Sequence, residues 1–403
     1  MRILIVSQVF WPDTASTAQH LYDLAEILYN KGIEVEVISS INAYEDKSIR
    51  FKKNEIVNGI KVKRVRNSSL GKSNFFFRIC DFFTFNFLIF FKLAFISGAR
   101  YDKVLGMTSP PLVSFIGSLI CKLKKIEFCY WVMDLQPELS IYSGLIKKKS
   151  LTSKFLTFLG DYTIKNASKI IVLDKYMKLY LVQRGGQPDK IFISEVWSVV
   201  PELYEGNRLD NPFRIEHKLG NKIVIMYSGN HSYVHPLDTL LQTAYELKDD
   251  DRFLFLFIGG GVRKSDVTTF KEKFNLSNII QLPYQPRSQI HYSLGSADLQ
   301  VVIMGENLVG FTHPNKIYGA MYLKKPVLYV GQHNSHIGDI LNDLNGNIAV
   351  EHKQTCQLIK LLLNFVEHSE EIVSEIGESN RDYVIRNFNP QFLKEKMANI
   401  ILE

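Results

Sequence analysis

The first forty residues, MRILIVSQVFWPDTASTAQHLYDLAEILYNKGIEVEVISS (1–40), decide how the rest of the chain is read. Residues 3–6 form a short apolar run of strand type. A loop, 7–16, follows. Over 17–30 the apolar residues Leu21, Leu24, Ala25 and Leu28 recur at helical spacing. Lys31-Gly32 closes that helix, and 35–38 is the next strand. A strand, a helix and a second strand in so short a span make a β-α-β unit. Such units build a parallel sheet with helices on both faces, so the fold class is α/β.

The alternation continues. Strands are expected at 62–65, 103–105, 128–132 and 169–172, with helices at 111–122 and 153–166. Segment 196–216 is rich in Pro, Asn and Glu and reads as a linker. A second alternation then places strands at 223–227, 253–258, 279–282, 298–303 and 326–330. Its helices fall at 236–247, 266–274, 287–294 and 315–322. Two further helical pieces, separated by Asn387-Phe388-Asn389-Pro390, follow from 370. The expected domains are 1–196 and 217–375, with C-terminal helices over 376–403 packing back towards the first. Doubly wound sheets bind ligands at the carboxyl ends of their strands, so the strand-end loops, expected to line a cleft, are the candidates for function.

Composition narrows the class. Hydrophobic residues are 46% and charged residues 22%, which excludes a disordered chain. The net charge of +7 is uneven. Residues 1–200 hold 28 Lys+Arg against 17 Asp+Glu, a balance of +11; the remainder holds 20 against 24, or −4. The first half therefore favours an anionic partner. Ten of the 27 Phe fall over 75–95. In helical projection Arg78, Asp81 and Lys92 share one narrow stripe of that segment, and most of the rest is Phe, Leu and Ile. Such a helix is either well buried or rests on a lipid interface. Lys61, Lys63, Arg64 and Arg66 before it, and Lys147-Lys148-Lys149 elsewhere, favour the interface. No nucleic-acid-binding motif accompanies the charge. The four cysteines form no CxxC and no paired framework, as in a reducing cytoplasm. The N-terminus reads as a buried strand and not as a signal peptide, and no uncharged apolar run reaches about 18 residues, the span of a membrane.

Four loops carry chemistry. Tyr227-Ser228-Gly229-Asn230-His231-Ser232 joins a strand to a helix. Gly229 permits close approach, and Asn230 and His231 offer donors to phosphate oxygens. Gly259-Gly260-Gly261 ends a strand and marks either a close approach or a flexible turn. It is not a GxGxxG fingerprint, and no GxxxxGK[ST] exists, which disfavours a dehydrogenase or a P-loop NTPase. MGENLVGFTHPNKIYG (304–319) is the densest stretch. Thr312-His313-Pro314-Asn315 is a good helix start, and Lys316 falls in the first turn. Cations are disfavoured there unless an anion docks on the same amides, as in a pyrophosphate cradle; the alternative is a solvent-exposed lysine. In the first half, Asp134 and Glu138 lie four apart where a strand opens into a loop. They suit acid/base work or sugar hydroxyls, or else a helix cap and a backbone bond. His231 and His235 are also four apart, but Pro236 argues against a metal pair on a regular helix.

Together these loops resemble the retaining glycosyltransferases of family 4, of GT-B fold, particularly bacterial enzymes of exopolysaccharide and O-antigen assembly. The resemblance runs over nearly the whole chain. It rests on RILIVSQVFWPD with its following helix, SPP (109–111), DLQPE (134–138), MYSGNHS (226–232), FLFIGGGV (255–262), LPYQP (282–286), SADLQVV (296–302) and HPNKIYGAMYLKKPVLYVG (313–331). It implies a hexosyltransferase that takes a UDP- or GDP-sugar, needs no metal or other cofactor, and passes the sugar with retention to a lipid-linked polyprenyl acceptor. The protein would be cytoplasmic and peripheral on the inner face of the cell membrane, on an anionic lipid surface. Lys316 would hold the diphosphate, with Asn315 beside it and with Gly229, Asn230, His231 and Gly260 nearby. Tyr284 and Gln285 would lie by the base. Glu306, Gly310, Phe311, Thr312 and His313 would surround the donor sugar and β-phosphate. Asp134 and Glu138 would face the acceptor as the catalytic pair.

Three departures stand out. Gly319 takes the place of the family's ribose-binding Glu. Ala15-Ser16 replaces a Gly-Gly pair, and His235-Pro236 a Lys-Gly pair. A nucleotide-sugar epimerase or hydrolase on the same fold, and a non-catalytic sugar-binding membrane module, are the alternatives.

Overall fold

The computed structural model describes residues 1–43, 48–68, 75–98, 100–108, 110–200, 203–368 and 370–403, with backbone alone at 75–79, 82, 111 and 287. Ser109, of the SPP motif, lies outside the described residues. The chain divides between Trp197 and Ser198 into two units, and the first also takes Gly310–His313 and Gln391–Glu403. Segment 198–216 is therefore part of the second unit.

The first unit runs β1 (Arg2–Val6), α1 (Ser16–Asn30), β2 (Glu34–Ser40), β3 (Asn54–Val57), β4 (Ile60–Val65), α2 (Phe75–Ala94), β5 (Lys103–Met107), α3 (Pro111–Lys124), β6 (Glu127–Trp131), α4 (Glu138–Tyr142), α5 (Leu151–Asn166), β7 (Lys169–Val172), α6 (Lys175–Gln183) and β8 (Ile191–Ile193). Its eight strands are ordered β3-β4-β2-β1-β5-β6-β7-β8. All are parallel except β3, which pairs antiparallel with β4 at the edge. Ile3, Leu4, Ile5 and Val6 are all buried, as in a strand covered on both faces.

The second unit runs α7 (Pro212–Glu216), β9 (Ile223–Ser228), α8 (Asp238–Glu246), β10 (Phe253–Ile258), α9 (Lys264–Phe274), β11 (Ile279–Leu282), α10 (Ile290–Gly295), β12 (Leu299–Ile303), α11 (Lys316–Tyr322), β13 (Val327–Val330), α12 (His336–Asn342), β14 (Ile348–Val350), α13 (Thr355–Val366) and α14 (Glu370–Asn387). Its sheet, β11-β10-β9-β12-β13-β14, is wholly parallel. The core gathers Ile225, Phe255, Val301 and Leu328 from the strands with Leu240, Leu358 and Leu362 from the helices.

Of the two C-terminal helices, α14 belongs to the second unit and α15 (Pro390–Leu402) to the first. Lys103 Nζ donates to Leu402 O (3.1 Å) and Lys169 Nζ to Ile400 O (2.7 Å). Two cations from the sheet thus satisfy carbonyls that a helix end leaves unpaired. Lys394 pairs with Asp23 of α1 at 2.8 Å.

The basic stretch before α2 is not a free cationic surface. Arg64 is buried and pairs with Glu55, Lys61 pairs with Glu34, and Lys63 with Glu36. Only Arg66 of the four is exposed without an ion pair among the described residues. The polar stripe expected on α2 also divides. Asp81 is buried and takes the Ser68 hydroxyl at 2.7 Å, Lys92 is exposed, and the Arg78 side chain lies outside the described residues. The cysteines are unpaired. Cys121 and Cys129 are buried, Cys80 is half-buried and Cys356 is exposed.

One ionic hub ties the segment read as a linker to the second sheet. Asp298 lies just before β12 and accepts from Val224 N (2.7 Å), Arg214 Nη1 (3.1 Å) and Arg208. Arg214 is 2% exposed and also donates to the carbonyls of Ser296, Gly220 and Lys222. Burial raises the Asp298 pKa, but the hydrogen bonds and charge of Arg208 and Arg214 outweigh it and hold the carboxyl below its usual range. Its stabilisation is complete above the ordinary carboxylate pKa and is lost as pH falls through the lowered folded value. Asp298→Ala strands a buried guanidinium, so it should cost about 3–5 kcal/mol in denaturant unfolding of this unit. Asp298→Asn should unfold in acid at higher pH than the wild type. Coincident acid transitions would rule the hub out.

Candidate active site

Strands β9 and β10 both turn at glycine where they end. Gly229, Gly259 and Gly261 have φ of +138°, +132° and +124°, values that L side chains rarely adopt. The two turns touch backbone to backbone. A Cβ on Gly259 would stand 2.1 Å from Gly229 O, and one on Gly261 2.4 Å from His231 O. Gly229 N donates to Ile258 O and His231 N to Gly260 O. What approaches the glycine triplet is thus the neighbouring turn, together with the ring of Tyr284, 3.1 Å from a Cβ placed on Gly260.

Lys316 begins α11 and lies across the bare Cα of Gly229, where a Cβ would stand 2.3 Å from its Cε. Its Nζ donates to Tyr227 Oη at 3.2 Å and sits 4.7 Å from that ring's centroid, a cation–π contact. Tyr227 is fully buried, and its hydroxyl donates to Asn230 O at 2.7 Å. Lys316 keeps part of its surface in solvent. Its desolvation, with no carboxylate to offset it among the described residues, lowers the pKa to about 8. An uncompensated ammonium held at a strand-end turn suits an anion. Helix α11 has seven residues, so the charge here is the lysine's more than the helix dipole's. Beside it, Asn315 Oδ1 is buried without a partner among the described residues.

Asn230 is exposed. His231, expected to offer a donor to phosphate, lies inside the turn. Its ring is 1% exposed, and Nδ1 donates to Gly260 O at 3.2 Å. Burial, and to a smaller degree the charge of Lys316, lower its pKa, so the ring is neutral at pH 7. Its Nε2, buried without a partner among the described residues, then carries a lone pair and accepts. His235 Nδ1 likewise donates to Ile303 O, and burial lowers its pKa to about 3. Tyr284 is 43% exposed, while Gln285 turns back to Pro283 O. Glu306 is exposed, 3.9 Å from Lys353. Gly319 faces the 198–200 segment: a Cβ there would stand 3.2 Å from Val200 Cγ2. Val200 therefore covers the face where the resemblance expects a glutamate.

Gly310, Phe311, Thr312 and His313, expected around the donor sugar, belong to the first unit. Leu135 N donates to Phe311 O at 2.8 Å, and the Phe311 and Tyr180 rings stand 4.7 Å apart. Thr312 Oγ1 donates to Asp134 Oδ1 at 2.6 Å. His313 Nδ1 meets Asp174 Oδ2 at 2.8 Å, and Asp174 Oδ1 caps α6 at Met177 N. A Cβ on Gly310 would stand 3.0 Å from Tyr176 O.

The two carboxylates read as a catalytic pair have separate engagements. Asp134 is exposed by area, yet desolvation of its carboxyl raises its pKa, against the Thr312 hydrogen bond and His313. Glu138 is the first residue of α4. Its Oε1 takes Arg184 Nη1 (2.7 Å) and the Tyr180 hydroxyl (2.6 Å). Through that one oxygen Glu138 braces α4 against α6, while its Oε2 is buried without a partner among the described residues. Asp174, Tyr180 and Arg184 escaped the sequence reading, as did the role of the Tyr227 ring beneath Lys316. Only Asp174 carried a signal, as an Asp directly before a helix. Among the described residues no cluster of three or more His, Cys, Asp or Glu gathers as metal ligands.

The two doubly wound units define a GT-B fold. Anabaena HepE, in a crystal structure with UDP and glucose, matches over 99% of this chain and 98% of its own, with a TM-score of 0.73 at 13% identity. By sequence the chain is similar to the probable glycosyltransferase WbjE of Pseudomonas aeruginosa, 23% identical over 74% of each protein. It is also similar to the putative colanic acid biosynthesis glycosyl transferase WcaI of Escherichia coli, 20% identical over 87% of this chain and 88% of that one. No protein-family model matches. The relatives and the fold support a glycosyltransferase.

The two glycine turns differ in what a side chain would strike. Gly229→Ala meets the far end of a flexible lysine and should cost about 1–2 kcal/mol, mainly backbone strain. Gly259→Ala meets backbone and should cost roughly twice that or more. Equal thermal shifts for the two variants would contradict the turn-on-turn packing.

Proposed function

We propose that this protein moves a hexose from a UDP- or GDP-sugar to a lipid-linked saccharide acceptor, with retention of configuration, in the assembly of a cell-surface polysaccharide. The observation that carries the reading is Lys316, held on the Tyr227 ring above Gly229 with no carboxylate to offset it among the described residues. The bound UDP of HepE and the polysaccharide named for WcaI support the donor and the product class.

In the proposed step the bond from the anomeric carbon to the β-phosphate oxygen breaks as the acceptor oxygen bonds the same carbon. The acceptor's hydroxyl proton passes to a phosphate oxygen. Lys316 stabilises the charge on the leaving diphosphate, the part a metal ion would otherwise play, and no metal is needed. Tyr284 offers a face for the base. Asp134, fixed by Thr312, receives an acceptor hydroxyl.

Lys316 gives the test its sign. A lysine with a pKa near 8 binds a diphosphate fully when protonated, and binding raises that pKa. UDP affinity, or GDP affinity if that is the base, should be flat below about pH 7.5. Above about pH 8 it should fall by up to tenfold per unit. Lys316→Met should abolish transfer and remove the slope, with the melting temperature of the free protein unchanged or higher. No thermal shift with any nucleoside diphosphate, or full transfer by Lys316→Met, would sink the donor assignment. Asp134→Asn should lower kcat about a hundredfold while leaving nucleotide affinity intact. Nucleotide-sugar turnover without added lipid acceptor would favour a hydrolase or epimerase.

A further inference from the structure

The second unit carries a cavity at the end of its sheet opposite the glycine turns. Its volume is about 1010 Å³, and every residue lining it belongs to that unit. The walls come from the chain just before β9, β10, β12 and β13, from the 203–209 segment, and from the end of α13 and the start of α14. Gly229 and Gly259 follow β9 and β10 at their carboxyl ends. The six residues of β9 therefore separate the cavity from the Gly229 turn by about 20 Å. Helix α11 spans the same gap, with Lys316 at its start and Leu323 and Lys325, on the cavity wall, just past its end. A cavity of this size has room for a small organic molecule.

Most of the charges on its walls are engaged by the fold. Arg208 and Asp298 pair with each other, Arg252 pairs with Asp250 at 2.7 Å, and Lys324 with Glu378 at 2.6 Å. Two ammonium groups are not engaged. Neither Lys222 nor Lys325 makes an ion pair or a side-chain hydrogen bond among the described residues, and both are half-buried. At Lys325, burial outweighs the attraction of Asp298 and lowers the pKa to about 8. Its backbone is pinned on both sides: N donates to Ala320 O at 3.1 Å, and O accepts from Asn380 Nδ2 at 2.9 Å. Lys324 before it has φ of +56°, a left-handed conformation that costs a residue with a Cβ about 1–2 kcal/mol. The turn that presents Lys325 is thus firmly built, and nothing in it neutralises the charge. An ammonium held partly out of water without a counter-charge suits an anion.

The rest of the lining says what the anion is attached to. Glu205, Asp251 and Glu370 are exposed carboxylates without ion pairs among the described residues. They repel a polyanion such as a nucleic acid, so the ligand is small. Carboxylates also accept from hydroxyl groups. His368 Nδ1, on the same lining, is buried without a partner among the described residues, and it too can meet a hydroxyl. Tyr204, whose ring packs edge-on against Tyr292 at 5.6 Å, supplies an aromatic wall. Ammonium groups for a phosphate, acceptors for hydroxyls and a ring for C–H groups together outline a phosphorylated sugar.

We propose that this cavity is a second ligand site, separate from the donor site, which takes a sugar monophosphate with its phosphate on Lys325 and Lys222. The site goes beyond the transfer reaction and stands or falls apart from it, because none of its groups is used in that reaction and its readout needs neither donor nor acceptor.

The test is calorimetric titration of the full chain with glucose 6-phosphate, with glucose and inorganic phosphate as comparison ligands. Wild type should bind glucose 6-phosphate at one site, more tightly than either comparison ligand. Lys325→Met should lower that affinity at least tenfold, the worth of a hydrogen bond to a charged group. The free Lys325→Met protein should melt at or above the wild-type temperature, because it loses a desolvated charge. Lys222→Gln should lower the affinity by a smaller factor. Lys316→Met should bind glucose 6-phosphate as wild type does, which separates this site from the donor site whether or not the donor assignment holds. Absence of binding by both glucose 6-phosphate and phosphate would overturn the proposal. So would unchanged affinity in Lys325→Met, or loss of binding in Lys316→Met, which would put the anion in the donor site. Glucose binding as tightly as its phosphate would overturn the role of the lysines, and phosphate binding as tightly as the ester would overturn the sugar.

Discussion

The second unit's strand-end surface depends on two turns meeting without side chains between them. Gly259 and Gly261 let the β10 turn lie on the backbone of the β9 turn, and Gly229 leaves its own Cα bare for the aliphatic end of Lys316. Remove that interlock and the consequences spread in order. The β9 turn would lift, the Tyr227 hydroxyl would lose Asn230 O, and the ring that supports the ammonium would lose its place. The charge of the site comes from a lysine, but its position comes from three residues that have no side chain. A cation–π contact is worth about 0.5–2 kcal/mol, too little to hold a flexible lysine unless the ring beneath it is itself fixed.

The alternation of strand and helix was legible because parallel strands covered on both faces must be continuously apolar, and every major run of that kind became a strand. What escaped was short or amphipathic. Strand β14 is three residues long, and β3 is an exposed antiparallel edge with alternating polar positions. Segment 196–216 looked like a linker because it is polar, yet its Arg208 and Arg214 reach a buried Asp298 about ninety residues away. A pairing that distant leaves no local periodicity to detect.

Lys316 could be read as a site residue because a cation at a helix start is locally unfavourable and asks for an explanation. The reason for Tyr227 was invisible: it sits near the end of an apolar strand and looks like core. The 310–313 segment hides its surroundings in the opposite way. Its residues were grouped by sequence with the helix they precede, but they belong to the first unit, where the polar atoms of Thr312 and His313 meet Asp134 and Asp174. Glu138 reads as an acid from composition and spacing; that Arg184 and Tyr180, more than forty residues on, hold one of its two oxygens leaves no local signal.

The first unit finishes with a helix synthesised after the whole of the second. Lys103 and Lys169 rest on the carbonyls of Leu402 and Ile400, and Lys394 on Asp23. As the chain leaves the ribosome, β5 and β7 are complete some 230 residues or more before their lysines meet these partners. Until then the nascent first unit carries ammonium groups whose helix has yet to be made. The order of synthesis therefore runs from first unit to second and back, and the first unit is closed by the last helix described.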